Sequence, residues 1–264
     1  MSVSLSTLLG RVAARMFPKS RAPRTADGPD GHHGVLPPLL VLLTFVTGLV
    51  DAVSYLGLGR VFVANMTGNV VFLGFSLAGD RALSATASLL AIGAFMTGAM
   101  VGGQWVTPRV ADPLRLFAAL VGAHAVLVAG TLAATVADPA QAVYSPYPLI
   151  AVLALGMGLQ NAVVARLAVP DLTTTVLTRT LTGLAADRLG PAAMRRTVSV
   201  VSMLLGALAG GLLQLRLGTA AALAPAAVLL AAVAAAAAVS AGPPTGRDAG
   251  RGAGAGGPGT GQGR

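Results

Sequence analysis

Several uninterrupted apolar stretches constrain this chain more than any other feature of its sequence. Two of them, Ala87 to Val106 and Ala220 to Ala241, reach the roughly 20 residues that a helix needs to cross a hydrocarbon core of ~30 Å. The chain is 55% hydrophobic and only 10% charged, whereas soluble domains carry about 25% charged residues. The sequence therefore predicts an all-α integral membrane protein with several transmembrane helices.

Eight apolar segments lie between two polar tails. They span Leu36 to Leu58, Phe62 to Gly79, Ala87 to Val106, Leu114 to Val136, Tyr147 to Val169, Leu172 to Ala186, Thr197 to Leu217 and Ala220 to Ala241. Residues 1–35 are expected to form a cytoplasmic tail, residues 36–241 the membrane domain, and residues 242–264 a disordered cytoplasmic tail of Gly, Pro and Arg. The net charge of +9 is spread over loops and tails, so we interpret it as a topology signal and not as a nucleic-acid-binding surface.

The second and sixth segments differ from the other six because polar residues concentrate in them. The second segment carries Asn65, Thr67 and Asn69 together with Gly68, and the sixth carries Thr173, Thr174, Thr175, Thr178, Arg179, Thr180 and Thr182. The sixth segment would also span only ~22 Å as a helix. Irregular or polar backbone at membrane depth is tolerated only inside protein or beside a water-filled cavity. We therefore expect two short re-entrant or broken helices in addition to six transmembrane helices.

An internal repeat with a period of about 110 residues places the two unusual segments at equivalent positions. The matching stretches are Gly48 to Val53 with Gly158 to Val163, Leu77 to Arg81 with Leu184 to Arg188, and Gly98 to Gly103 with Gly206 to Gly211. In this alignment Asp51 falls opposite Asn161. We predict a duplication, with one repeat over residues 36–136 and the other over residues 147–241.

The distribution of Lys and Arg favours six crossings over eight, because cytoplasmic loops are enriched in these residues. With six crossings, all 18 Lys and Arg residues except Arg60, Arg81 and Arg216 lie on the cytoplasmic side, together with both termini. Each repeat then contributes three crossings, so the two repeats are inverted in the membrane. Inverted repeats with short, polar segments at matching positions are typical of transport pathways.

The run Gly48-Leu-Val-Asp-Ala-Val-Ser-Tyr-Leu-Gly-Leu-Gly59, followed by Val61-Phe-Val-Ala-Asn-Met-Thr-Gly-Asn69, resembles the opening of the YoaK-like bacterial membrane proteins, whose domain has no known function. The resemblance extends from Leu36 to about Ala241. It implies a bacterial inner-membrane protein of about this size. It brings no substrate and no catalytic residue.

Asp51 lies some fifteen residues into the first helix, where an ionised carboxylate costs at least ~2.5 kcal/mol on insertion scales. One interpretation is a cation or proton site; the other is a structural Asp bonded to re-entrant backbone. Asn65, Thr67 and Asn69 either line a substrate or ion pathway, with Gly68 allowing a sharp turn, or cap their own hairpin. Both interpretations stay open for each residue.

The second repeat offers a corresponding set of pathway candidates. They are Gln160, Asn161, Thr175, Thr178 and Arg179. Symmetry between the repeats predicts that Arg179 approaches Asp51 and neutralises it, and the alternative is that Arg179 binds an anionic substrate. The sequence does not choose between these two roles.

Small residues predict where helices pack, and other motifs are missing. Gly98, Gly102, Gly206 and Gly210 predict close helix packing with the third and seventh segments at the centre, and a homodimer face is the alternative.

His124 has no second ligand at helical spacing, so we interpret it as a buried structural residue and expect no metal. With no Cys, no dinucleotide loop and no catalytic set, we expect no cofactor and no enzyme activity.

These features together predict a multi-pass inner-membrane transporter or channel-like permease for a small polar solute or ion. The expected partners are the lipid bilayer and that solute, with a homo-oligomer as a further candidate and nucleic acid excluded. The alternative function is a non-transporting membrane scaffold or accessory subunit, in which the polar residues only hold the hairpins together.

Overall fold

The computed structural model describes residues 35–139, 145–167, 177–186 and 190–242, and within these ranges the backbone forms eight α-helices and no strands. The helices are α1 (Leu36–Gly57), α2 (Met66–Leu77), α3 (Ala85–Met100), α4 (Pro113–Ala137), α5 (Tyr147–Leu167), α6 (Leu177–Ala186), α7 (Pro191–Leu217) and α8 (Thr219–Ala241). A π-helical turn, Val101–Val106, and a 3-10 turn, Thr107–Arg109, extend α3. The predicted all-α architecture is confirmed, and both predicted tails lie outside the described residues apart from residues 35 and 242.

Six helices, all except α2 and α6, are long and apolar enough to cross a membrane, as predicted. α2 has 12 residues and α6 has 10. At 1.5 Å per residue these two helices extend about 18 and 15 Å, which is well short of a hydrocarbon core. Length alone therefore separates two short helices from six candidate spans.

Local capping explains several helix boundaries. Ser84 begins α3 by accepting a hydrogen bond from the backbone N–H of Ala87 (3.2 Å), and Asp112 begins α4 by accepting one from Arg115 (2.9 Å). Gly218 ends α7 and precedes α8 with a φ of 85°, a conformation that suits a residue without Cβ. α7 and α8 consequently form a hairpin with a connection of one residue.

Three helices end at the same face of the bundle. Leu56, Thr135 and Leu217, near the C-terminal ends of α1, α4 and α7, line one cavity together with Thr219 at the start of α8. We call this end of the bundle the first face, and the opposite end the second face. α1, α4 and α7 therefore run in one direction and α8 in the other. If all eight helices crossed the membrane, α1 and α4 would run in opposite directions.

The directions of α1 and α3 show that the segment containing α2 starts and ends at the first face. Residues 110–112 connect the extended α3 to α4, and Gly102 of the π-helical turn lies beside Leu120 of α4, so the chain reverses direction at the second face and α3 starts at the first face. α1 ends at that face, and the intervening segment with α2 therefore leaves the first face and returns to it. α5 runs parallel to α3, because Gly98 lies beside Leu155 and Gly102 beside Leu159. Consequently α5 ends at the second face, where α7 begins.

α1 and α5 form the centre of the bundle. α1 packs against α7 and α8, while α5 packs against α3 and α4, and α4 also packs against α8. In their most apolar stretches 67% of α1 and 61% of α5 are buried, against 28% of α3 and 17% of α7. The expectation that the third and seventh segments form the centre is therefore wrong, because their glycine faces instead cover the two central helices.

The four predicted packing glycines all lie at helix contacts. A Cβ on Gly98 would meet the backbone of α5, and one on Gly206 would meet the backbone of α1 at the carbonyl group of Phe45. Gly210 lies one turn later against Leu49 of α1, and Gly102 lies against α5. Glycine at these positions lets the backbones approach more closely than any side chain would allow.

Candidate functional site

Asp51 holds the loop that precedes α2. Its side chain is 5% exposed, and Oδ1 accepts hydrogen bonds from the backbone N–H groups of Val63 (3.0 Å) and Ala64 (2.8 Å). Two amides that would otherwise lack a helical partner are thereby satisfied inside the bundle. This geometry corresponds to the structural interpretation of Asp51, a carboxylate bonded to re-entrant backbone.

Asn69 and Asn65 also bind local backbone. Asn69 is fully buried; its Oδ1 accepts from the N–H of Phe62 (2.9 Å), and its Nδ2 donates to the carbonyl of the same residue (2.6 Å). Asn65 caps α2 by accepting from the N–H of Gly68 (3.3 Å). Thr67, by contrast, is exposed on α2. Of the polar residues in this hairpin, the two Asn side chains are therefore engaged in holding its shape.

An aromatic cluster fixes the first hairpin on α1. The ring of Phe62 stacks on Tyr55 and Phe72, with centroid distances of 5.1 and 5.5 Å. A Cβ on Gly68 would lie 2.8 Å from the ring of Phe62, so glycine is needed there for space. The expectation that Gly68 forms the sharp turn is wrong, because Gly68 lies within the first turn of α2. The turn is instead at Gly59 and Arg60, which have φ angles of 109° and 56°.

The second hairpin is described in part. Thr175 lies outside the described residues, and so do the side chains of Thr178 and Arg179, with the predicted approach of Arg179 to Asp51. Asn161, which the sequence alignment predicts to be the counterpart of Asp51, donates from Nδ2 to the carbonyl of Met157 (2.8 Å). Asp51 and Asn161 therefore form different described contacts, since Asp51 bonds to the backbone before α2 and Asn161 to its own helix.

A chain of three buried polar side chains connects the middle of the bundle. Gln160 on α5 lies with Oε1 3.0 Å from Nδ1 of His124 on α4, and its Nε2 donates to Oγ1 of Thr47 on α1 (3.1 Å). All three residues are fully buried. Because Thr47 in turn donates to the carbonyl of Leu43 (2.9 Å), the chain ends on the backbone of α1. We call Thr47, Gln160 and His124 the central polar chain.

Only one ring nitrogen of His124, Nδ1, takes part in the central polar chain. Its Nε2 is buried and has no hydrogen-bond partner among the described residues. The ring lies against Gly156 of α5, where a Cβ would come within 3.1 Å of Nε2. This nitrogen can bind a proton or accept a hydrogen bond from a polar ligand. The described residues contain no group of three His, Cys, Asp or Glu side chains that could hold a metal ion.

Three polar residues lie along one face of α4 between the central polar chain and the cavity at the first face, and the hydroxyls of the two Thr residues bond to carbonyls of the same helix. His124, Thr131 and Thr135 are spaced by seven and four residues, which brings all three to the same side of the helix, and all three are buried. Thr135 lines the cavity, which has a volume of about 520 Å³. The bundle thus contains a cavity at one face and a row of polar side chains leading from it towards the centre.

The sequence singles out two members of the central polar chain, Gln160 as a pathway candidate and His124 as a buried structural residue, and the burial of His124 is confirmed. It does not single out Thr47, nor does it predict that the three side chains meet. The partners are 36 and 113 residues apart along the chain. A usable signal was present in α1, where Thr44, Thr47, Asp51 and Ser54 mark a polar stripe on a helix that is otherwise apolar.

Comparison with known proteins identifies the family. Residues 39–236 match the family described as protein of unknown function (DUF1275). The chain is 32% identical over 157 residues to the UPF0700 transmembrane protein YoaK of Bacillus subtilis strain 168, and the match covers 56% of this chain and 65% of that relative. No solved structure matches the chain. Since the family match spans most of the membrane domain, the chain belongs to the DUF1275 family of proteins of unknown function.

Proposed function

We propose that this protein is a cell-membrane transporter or channel-like permease for a small polar solute or ion. The observation that carries the proposal is the central polar chain, in which Thr47, Gln160 and His124 connect three helices at the middle of the bundle. Ionisable residues in the middle of membrane proteins are costly and by default functional. A site for a polar solute needs a few convergent polar groups in apolar surroundings, and the three side chains of the central polar chain provide them.

The contacts between helices support two inverted repeats. α1 packs against α7 as α5 packs against α3, and these two pairs exchange when the repeats are exchanged. The glycine contacts follow the same rule: Gly48 lies against Met203 and Ala207, and its counterpart Gly158 lies against Phe95 and Ala99. Because each repeat has three long helices, the exchange inverts the orientation relative to the membrane. Transporters built this way bind their substrate near the midplane.

The distribution of charge supports a cytoplasmic second face. In helices and connections near that face the described basic residues are Arg109, Arg115, Arg166, Arg195 and Arg196, whereas Arg60, Arg81 and Arg216 lie near the first face. The chain also enters α1 and leaves α8 at the second face. The positive-inside rule then puts both termini in the cytoplasm.

The proposed pathway differs from one made of hairpin residues alone. Asp51, Asn65 and Asn69 bond to backbone and would position the first hairpin, while the central polar chain would contact the solute. Thr67, Asn161, Thr175, Thr178 and Arg179 stay candidates for the approaches from the two faces. In a proton-coupled mechanism, His124 would carry the proton on its partnerless Nε2.

The second candidate function is a non-transporting scaffold or accessory subunit. The observation in its favour is that the described side-chain hydrogen bonds of Asp51 and Asn69 go to residues 62–66 of the hairpin itself: Asp51 accepts from Val63 and Ala64, and Asn69 bonds to Phe62 and Met66. Under this hypothesis the central polar chain holds α1, α4 and α5 together and never contacts a solute.

Reconstitution into liposomes tests the proposal. Osmotic shrinkage and ion fluxes would be measured with urea, glycerol, acetamide, potassium chloride and ammonium chloride. The informative variant is Gln160→Leu, which removes both hydrogen bonds of the central polar chain at similar side-chain volume. The matched control is Gln104→Leu, the same change at an exposed position of the extended α3.

The transport hypothesis predicts that at least one solute crosses faster than in empty liposomes and that Gln160→Leu abolishes this flux. Gln104→Leu should retain it. If every solute crosses at the rate of empty liposomes, the scaffold is the better hypothesis. A flux that persists in Gln160→Leu would support transport but contradict the hypothesis that the central polar chain lies on the pathway.

A further inference from the structure

The extended end of α3 carries an exposed tryptophan and an arginine that folds back towards it. Trp105, the sole Trp of the chain, is 59% exposed on the π-helical turn, and Arg109 lies in the 3-10 turn that follows. Pro108 has no N–H to offer the carbonyl of Trp105 in this turn, and Nη1 of Arg109 donates to that carbonyl. The guanidinium group therefore lies at the depth of the Trp105 backbone and not beyond the end of the helix.

A second arginine lies at the end of the neighbouring helix. α5 runs parallel to α3 and contacts it where Gly102 lies beside Ala162, three residues before Trp105 and four residues before Arg166. The guanidinium group of Arg109, held at Trp105, and the backbone of Arg166 are consequently both about one helical turn beyond this contact. Both arginine side chains are exposed. Two adjacent helices thus each present an arginine at the second face.

No described acid balances these two charges. The described acidic residues are Asp51, Asp80, Asp112 and Asp138, and of these only Asp112 lies near the second face. Its carboxylate accepts from the backbone N–H of Arg115 and caps α4. Guanidinium groups bind phosphate oxygens well, because several N–H donors of each group can point at the same anion. The two arginines therefore suit a phosphate group.

The surroundings favour a phosphate that belongs to a lipid. Tryptophan side chains concentrate at the membrane–water interface, which is the depth of lipid headgroups. Met96 and Met100, which are 65% and 43% exposed, precede Trp105 on the same helix and lie on its bilayer side. An acyl chain beside these methionines would bring its own headgroup to the level of Trp105. Basic pockets between transmembrane helices at the cytoplasmic face bind anionic headgroups in this way.

We infer that the ends of α3 and α5 bind the phosphate headgroup of an anionic phospholipid in the surrounding leaflet. Arg109 and Arg166 would donate charge-assisted hydrogen bonds to the phosphate oxygens, and Trp105 would lie beside the headgroup. The inference goes beyond the proposed transport and does not depend on it, because these residues lie apart from the central polar chain and from the cavity at the first face.

The single tryptophan reports on the site directly. The full chain would be reconstituted in phosphatidylcholine vesicles in which part of the lipid is replaced by brominated phosphatidylglycerol or brominated phosphatidylcholine. Because bromine quenches Trp fluorescence only at short range, the quenching gives the binding constant of phosphatidylglycerol relative to phosphatidylcholine near Trp105. The variants are Arg109→Gln and Arg166→Gln. The matched control is Arg81→Gln, the same change at an exposed position near the first face.

Phosphatidylglycerol should be preferred, and each of the two variants should lower the preference about fivefold, the factor that one arginine contributes at an anionic surface. Arg81→Gln should leave the preference unchanged, and Arg166→Lys, which keeps the charge, should retain most of it. Arg166 lies on another helix than Trp105, so its variants test the site without altering the backbone contact of Arg109. Equal quenching by the two lipids in the unaltered chain, or a preference that persists in both Gln variants, would overturn the inference.

A salt titration separates the lipid from free phosphate as the ligand. Inorganic phosphate would be added to the same vesicles and compared with sodium chloride at equal ionic strength, because both salts screen the arginine charges. The preference for phosphatidylglycerol should fall by the same factor in both salts. A selective loss in phosphate would overturn the lipid as the ligand and assign the site to a soluble phosphate.

Discussion

Replacing Gly98 by Ala tests the close contact between α3 and α5. The added Cβ would lie 2.9 Å from the carbonyl carbon of Leu155 and 3.1 Å from the amide nitrogen of Leu159, closer than ordinary van der Waals contact. Both atoms belong to the backbone of α5, so no side-chain rotation can relieve the overlap and α3 must move outward. Overpacking of this kind costs about 1 to 3 kcal/mol, and we expect the free energy of unfolding to fall by that amount.

The control is Gly93→Ala on the same helix, where no described atom other than the local helix lies within 4 Å of the new Cβ. This change should be neutral or stabilise by up to about 1 kcal/mol, because Ala is the better helix former. Unfolding in detergent would be followed by circular dichroism for both variants. If Gly98→Ala is as stable as Gly93→Ala, the described contact between α3 and α5 is wrong. Gly206→Ala, at the equivalent contact of α7 with α1, should repeat the loss.

Three further predictions concern the hairpin, the topology and the central polar chain. Asp51→Ala should lower the free energy of unfolding by roughly 2 to 4 kcal/mol, because two buried N–H groups lose their acceptor. Asp51→Asn keeps an oxygen and should cost less than half as much, and both values would be measured by unfolding in detergent followed by circular dichroism. Cysteines at Asp80 and Ala111 should react with an impermeant thiol reagent from opposite sides of the membrane; reaction from one side would refute the six-crossing path. Gly156→Ala should displace the ring of His124 and reduce any liposome flux that Gln160→Leu abolishes.

The helix boundaries were predictable where an apolar stretch begins or ends sharply. They were less predictable where charged residues lie at the membrane–water interface. α1 and α8 begin and end within one residue of the prediction. α7 begins at Pro191, six residues before the predicted Thr197, because the predicted apolar segment excludes the basic residues Arg195 and Arg196. Basic side chains can lie along the first turn of a membrane helix and extend towards the interface, so charge alone does not mark the end of the helix.

The candidate site was predictable only where its contacts are local. The bonding of Asp51 to backbone twelve and thirteen residues later was one of two interpretations, because a carboxylate in a helix next to a polar turn has few other partners. Thr47, Gln160 and His124 come from three helices, and their contacts depend on how those helices rotate and pack. A single sequence specifies that packing only through many weak preferences, so no local pattern pairs these side chains.

The proposed repeats share their glycine contacts but differ in their polar centre, and this difference bears on function. Gln160 has Val50 as its counterpart in the first repeat. α8, the counterpart of α4, buries only Ala, Leu and Val side chains along its described length, whereas α4 buries His124, Thr131 and Thr135. In the first half, the apolar Val50 occupies the position of Gln160, and the helices still pack through equivalent glycine contacts. The helix packing of the bundle, which we call its frame, therefore does not need a polar residue at this position. The polar residues of the second half and of α4 therefore add something that the frame does not require, which favours a solute site over a purely structural role.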